Sequence, residues 1–197
     1  MELYFGPRGT LQIDDARILF PNFEGRETMY NRKGDRNFAI AIENFEMAKK
    51  LYEDGWNIKV ESGNREFVDD LVHDGWAAKF KPALDPDEPP RMRLDVKVKY
   101  SRRDDGTVFG PGAWLLSGDN EIELDEESIG TIDHIDRERV DLDIRPYNWE
   151  LPGGKKGRSA YLQHIEVTQR VNRFEARAAA RAAARRVERD DDEMLPF

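Results

Sequence analysis

The chain has 197 residues, 36% charged and 39% hydrophobic, with a formal net charge of −9 and no cysteine. The lack of cysteine excludes disulfides, thiol nucleophiles and zinc knuckles, and fits a reducing compartment. The opening MELYFGPRGT is too polar for a secretory signal and no apolar run approaches membrane-spanning length, so a soluble cytoplasmic protein without a membrane partner is expected.

Residues 1–9 read as a loose arm, broken by Gly6, Pro7 and Gly9. Ala16 to Phe20 is a short apolar strand ended by Pro21, and a polar loop over 24–36 leads to a second strand, Asn37 to Ile42. Asn44 can cap a helix whose Phe45, Ala48, Leu51 and Tyr52 share a face, with Gly55 as its left-handed terminator. Trp56 to Val60 is extended. Asn64 then caps a second helix with Phe67, Leu71 and Val72 on one face, followed by Gly75-Trp76. LYEDGWNIKV and LVHDGWAAKF look like a local duplication, too short for a solenoid, so residues 43–80 read as two helix-strand units added to a main sheet.

After a Pro/Asp loop over 82–90, Arg91 to Tyr100 is the clearest strand, with Met92, Leu94, Val96, Val98 and Tyr100 on one face. Ala113 to Ser117 and Asn120 to Leu124 are shorter strands, Asp125 to Ile129 a helical turn, and Arg139 to Pro146 and Tyr161 to Thr168 the last two strands. About seven short strands with helices between the early ones predict a mainly β domain over 1–171, an antiparallel barrel with added helices. Residues 172–189 are rich in Ala and Arg, both strong helix formers, and predict a C-terminal α-helix. Arg173, Arg177, Arg181 and Arg185, spaced by four, form one ridge on it. Residues 190–197 form an acidic tail: Asp190, Asp191, Asp192 and Glu193 run into Met194, Leu195, Pro196 and Phe197. Six acids and six arginines cancel over 172–197, so residues 1–171 carry the whole acidic excess, and any nucleic-acid surface there is a local basic patch on an acidic body.

Three stretches interleave aromatic and basic residues. Tyr30, Arg32 and Lys33 stand with Arg36 and Phe38; Lys97, Lys99 and Tyr100 with Arg102 and Arg103; Arg145, Tyr147 and Trp149 with Lys155, Lys156, Arg158 and Tyr161. Single strands are held by bases stacked on aromatic faces and cations along the phosphates. The expected binding face is Tyr30, Arg32, Lys33, Arg36, Tyr100, Arg102, Arg145, Tyr147, Trp149 and Lys156. No Gly-rich phosphate loop or nucleophile-base pair is present, so no catalytic residue and no cofactor are expected. Asp133, His134 and Asp136 could be drawn as a metal or nuclease site, but a surface turn accounts for them better and no metal is expected.

The tail resembles the C-terminal tip of bacterial single-stranded-DNA-binding proteins, an acidic run closed by Pro-Phe. That resemblance implies that Asp190, Asp191, Asp192, Glu193, Leu195, Pro196 and Phe197 bind partner proteins of replication, recombination or repair, such as a polymerase, helicase, nuclease or recombinase. Ring and α-carboxylate on one terminal residue suit a hydrophobic socket with a basic rim. Residues 20–40 and 124–150, with Tyr30-Asn31-Arg32, Arg36-Asn37-Phe38 and Ile144-Arg145-Pro146-Tyr147-Asn148-Trp149, are similar to a group of bacteriophage single-stranded-DNA-binding proteins. The resemblance implies an oligonucleotide/oligosaccharide-binding (OB) barrel that coats single strands without sequence preference, with homo-oligomers left open. Two other classes also stay open: an acidic DNA-mimicking inhibitor, suggested by the charge of −9, and a structural interaction module without nucleic acid.

Overall fold

The computed structural model describes residues 1–154 and 156–171. Lys155, the Ala/Arg-rich stretch 172–189 and the tail 190–197 lie outside them. The chain is mainly β with two helices. Glu2–Phe5 (β1) pairs antiparallel with Leu11–Asp14 (β2) across a single 3-10 turn, so the expected loose arm is an edge hairpin. Ile18–Asn22 (β3) and Arg36–Ile42 (β4) form the second antiparallel pair, and Pro21 sits inside β3, at a break in its register, rather than ending the strand.

Phe45–Glu53 (α1), Ile58–Ser62 (β5), Arg65–His73 (α2) and Ala77–Phe80 (β6) form the two duplicated units. Each helix is capped as its sequence predicts. Asn44 accepts from the Met47 N–H at 2.9 Å, Asn64 from the Phe67 N–H at 3.1 Å, and Gly55 and Gly75 take the left-handed conformation that ends each helix. The buried face of α2 is Val68 and Leu71; Val72 points to solvent instead. Trp76 stacks between Phe45 and Tyr52, with centroids 5.6 and 4.1 Å away, and ties the second unit back onto the first helix. β5 and β6 run parallel because α2 is the crossover between them.

Arg91–Val98 (β7) has the alternation expected, burying Met92, Leu94, Val96 and Val98. Ser101–Arg102 (β8) and Val108–Phe109 (β9) make a separate small hairpin, and Gly112–Ser117 (β10) pairs with Asn120–Glu123 (β11). Arg137–Glu150 (β12) and Lys156–Gln169 (β13) are fourteen residues each, both longer than their alternation suggests.

One sheet of eleven strands runs β1-β2-β12-β13-β7-β4-β3. It forks twice. Beside β13 the neighbour changes from β7 to β10, and beside β7 from β13 to β5. Among the described residues the sheet is open, with β1 and β3 at the ends of this path and β11 and β6 at the ends of the two branches, and three of its pairings are parallel. The core lies on one face, around Phe23, Phe38, Ile40, Val96, Ile144 and Ile165. Among the described residues no helix is long and apolar enough to cross a membrane.

Candidate nucleic-acid interface

Four adjacent strands place one residue each in a single transverse row. Asn37 of β4 is paired with Lys97 of β7, Lys97 with Tyr161 of β13, and Tyr161 with Arg145 of β12. Directly paired residues share a face, and the next position along each strand (Phe38, Val96, Ala160 and Pro146) faces the core side. The row therefore lies on the outer face. The Lys97 Nζ is 5.7 Å from the centroid of the half-buried Tyr161 ring, the Arg145 guanidinium 5.5 Å from it, and the Tyr147 ring meets it edge-on at 5.8 Å. Cations held against an aromatic by its quadrupole leave a π surface and two positive charges side by side.

The outer face continues onto a free arm. Tyr147 pairs with Ser159 and Trp149 with Gly157, beyond the last pairing of β13 to β7. Tyr147 is exposed. The Trp149 indole lies across Gly157, where any Cβ would collide with it, so glycine is required for that ring position. Arg158 works from the opposite face: it donates to Asn148 at 2.9 Å and to the Asp54 carboxylate at 2.9 Å, and covers Trp56 at 5.3 Å. These contacts pin the arm to the end of α1. Lys156 projects into solvent beside Glu150, 3.4 Å away.

At the other end of the row stands the β3–β4 loop. A Gly34 N–H to Gly25 carbonyl bond of 2.8 Å closes it, and the Asn31 side-chain Oδ1 accepts from the Asn37 side-chain amide at 2.8 Å, fastening the tip to the first residue of the row. Tyr30 at the tip is 87% exposed, and Arg32 and Lys33 follow it in solvent. The base of the loop is rigid. Buried Asn22 donates to the Arg26 and Asp35 carbonyls at 3.1 and 2.9 Å, and the Asp133 carboxylate, 0% exposed, accepts the N–H groups of Phe23 and Glu24, both at 3.0 Å. Asp133 is thus a brace for the loop, while Asp136 faces Arg170 and His134 faces Glu24. Among the described residues no cluster of His, Cys, Asp or Glu fits a metal.

Arg36, Tyr100 and Arg102 come together elsewhere. Arg36 is paired with buried Val98, which puts it on the face opposite the row. Its guanidinium donates to the Glu126 carboxylate at 3.2 Å and the Glu126 carbonyl at 3.0 Å, and lies 5.2 Å from the Tyr100 ring; Arg102 reaches the same carboxylate at 3.6 Å. The Tyr100 hydroxyl is buried without a hydrogen-bond partner among the described residues, and burial pushes its phenol up to about 12 against the opposing pull of Arg36. With the folded value above the unfolded one, the stability contributed by the neutral phenol is complete below about pH 10 and is lost as pH rises through 10 to 12. Tyr100→Phe is therefore expected to remove part of the alkaline destabilisation. Urea midpoints of parent and variant compared from about pH 9 to 12 check this, and parallel curves would reject it.

The outer face changes sign past Arg145. Beyond a register shift at Asp143/Ile144 lie Asp141 and Asp143 on β12, Glu166 and His164 on β13, and Asp14 on β2, grooved beside Trp114. Asp143 accepts from Gln12 at 3.1 Å and lies 3.1 Å from His164 Nδ1, and Asp141 holds the Asp15 N–H at 2.8 Å. Acid on this side and cations on the other bound the candidate track to the row, the arm and the loop. Lys97 and Tyr161 stood in the interleaved stretches but outside the expected binding face; their signal was the outward parity of β7 and β13.

A family model described as "Putative phage ssDNA-binding domain" matches residues 4–70 and 62–194. Among solved structures, the chain is similar to the single-stranded DNA-binding protein from bacteriophage Enc34 in complex with ssDNA, at 15% identity over 86% of this chain and 92% of that one, with a TM-score of 0.45. A C-terminal truncation of the same phage protein gives 15% identity, 85% and 90% coverage and a TM-score of 0.46. Gp2.5, a single-stranded DNA binding protein encoded by bacteriophage T7, gives 6% identity, 83% and 87% coverage and a TM-score of 0.40. No curated protein matches the sequence.

Proposed function

The chain belongs to the family of phage single-stranded-DNA-binding domains, and from that membership we propose that it coats single-stranded DNA without sequence preference, along a track on the outer face of its sheet. The observation that carries the reading is the row Asn37, Lys97, Tyr161 and Arg145, with the Tyr30 loop fastened to one end and Tyr147 and Trp149 continuing from the other. Bases stack on Tyr161, Tyr147, Trp149 and Tyr30, while Lys97, Arg145, Arg32 and Lys33 follow the phosphates; Lys156, in register with Glu150 on the Arg158 side of the arm, lies off this face. Arg36 and Arg102, both paired with the Glu126 carboxylate, and Tyr100 beneath Arg36 support the β4–β7 end of the sheet rather than lie on the outer-face track. The overall charge of −9 is compatible with this because the acid on the outer face is segregated beyond Arg145.

Fluorescence anisotropy of labelled oligo-dT tests the reading. Binding that weakens as salt rises is expected, since phosphate contacts release counterions. A protein that leaves oligo-dT unbound at low salt and instead binds a DNA-processing enzyme would be a DNA mimic, and the reading would fall.

In the host cytoplasm such a protein protects exposed strands and hands them to replication or recombination enzymes. The proposed handle is the tip, with Phe197 as anchor and Asp190, Asp191, Asp192 and Glu193 competing with DNA for the arginines of 172–189. Deleting Glu193 to Phe197 is expected to leave the melting temperature unchanged and abolish capture of replication or recombination enzymes. Removing Asp190 to Asp192 as well should tighten DNA binding at low salt. Equal affinity of full-length and deleted chains at every ionic strength would show that the acids do not compete.

A further inference from the structure

Phe20 breaks two rules at once. Its φ of 52° lies in the left-handed region, where a bulky side chain is an outlier, and its ring is 71% exposed. The other non-glycine residues with positive φ among those described are Arg8 and Asp15, both polar, so Phe20 is the one aromatic held this way.

The surroundings leave it no room to relax. Leu19 is paired with Ala39 and Asn22 with Asn37, so Phe20 and Pro21 bulge against the single residue Phe38. Asn22 is buried and fully hydrogen-bonded, Phe23 stacks on Phe38 at 5.1 Å, and the Phe23 N–H is held by Asp133. Pro21 has no N–H with which to rejoin the ladder. A strained conformation kept by an over-determined frame, with an apolar ring delivered to solvent, points to use of the ring.

The position identifies the use. The bulge adjoins Asn37, the first residue of the row, and the loop carrying Tyr30 is fastened to that same residue. We infer that Phe20 is a base-stacking platform that extends the single-strand track past Asn37 onto the edge strand β3. The inference rests on the single-strand reading and adds a residue that neither the interleaved sequence pattern nor the row contains.

Full-length Phe20→Gly and Phe20→Trp, titrated with labelled oligo-dT beside Tyr161→Ala, test it. Glycine suits a positive φ, so Phe20→Gly is expected to keep or raise the melting temperature while lowering affinity by about 5- to 150-fold, the span of one lost stack. Its salt dependence should match the parent's, because no phosphate contact is removed. Phe20→Trp should bind like the parent. Parent-like affinity of Phe20→Gly, with Tyr161→Ala weakened, overturns the inference and leaves the track standing. A change of oligomeric state in sedimentation, with affinity unchanged, overturns it in favour of a contact between copies. If the parent itself binds no oligo-dT, the proposed function fails first.

Discussion

Exchange of Tyr161 for alanine is expected to lower oligo-dT affinity by roughly 1–3 kcal/mol, the worth of one stacked base, with the slope of affinity against salt unchanged. Tyr161 is the residue against which Lys97, Arg145 and Tyr147 all pack, so its loss removes a π surface and frees two cations together. Tyr161→Phe keeps the ring and should bind like the parent. Arg145→Ala should behave in the complementary way, lowering the salt slope by about 0.7, the value for one single-strand phosphate. Anisotropy titrations at several salt concentrations separate the two signatures. A Tyr161→Ala protein that is folded and binds as the parent does would remove this ring from the site.

The second large effect is expected at Asp133, 110 positions along the chain from the Phe23 N–H it holds. Its buried carboxylate accepts the N–H groups of Phe23 and Glu24, each bond to a charged acceptor contributing about 1.5–3 kcal/mol. Asp133→Ala leaves both donors unpaired at the base of the β3–β4 loop and loosens Phe23, which stacks on Phe38 in the core. A loss of about 2–5 kcal/mol is expected, at roughly 2–4 °C of melting temperature per kcal/mol for a chain of this size. Oligo-dT affinity should fall with it at temperatures where the variant remains folded, because the frame that presents the loop is released. Asp133→Asn retains one acceptor and should fall between variant and parent. Differential scanning calorimetry gives the first quantity. An unchanged melting temperature for Asp133→Ala would show that the loop base is held by Asn22 alone.

What the sequence disclosed follows from where its signals are local. Asn44 and Asn64 cap the helices, Gly55 and Gly75 end them, and the alternation of Met92 to Val98 marks β7, because each depends on neighbours a few residues away. The edge strand β1 was hidden because its pairing with β2 lies across glycine and proline that locally argue for a loop. The arm was hidden for another reason: past Arg145 the strand has solvent on its outer face and only the end of α1 below, so apolar alternation fades into Arg, Tyr, Asn and Trp. Nominating Arg36 with Tyr30 joined two faces, since Arg36 and Asn37 are consecutive and point to opposite sides. The row itself depends on the parallel pairing of β7 with β13, between residues more than sixty positions apart, and no local pattern reports that register.

Photo-crosslinking of full-length protein to 5-bromodeoxyuridine oligomers, with the adducts mapped by mass spectrometry, tests the central claim most directly. The track places adducts on Tyr161, Tyr147, Trp149 and Tyr30. Trp114 and Tyr4 serve as internal controls, since both are aromatic and both line the acidic groove at the other end of the strands. Adducts concentrated on the first group, and absent from the second, are the result predicted here. Adducts on Trp114 and Tyr4, with Tyr161 unmodified, would contradict it.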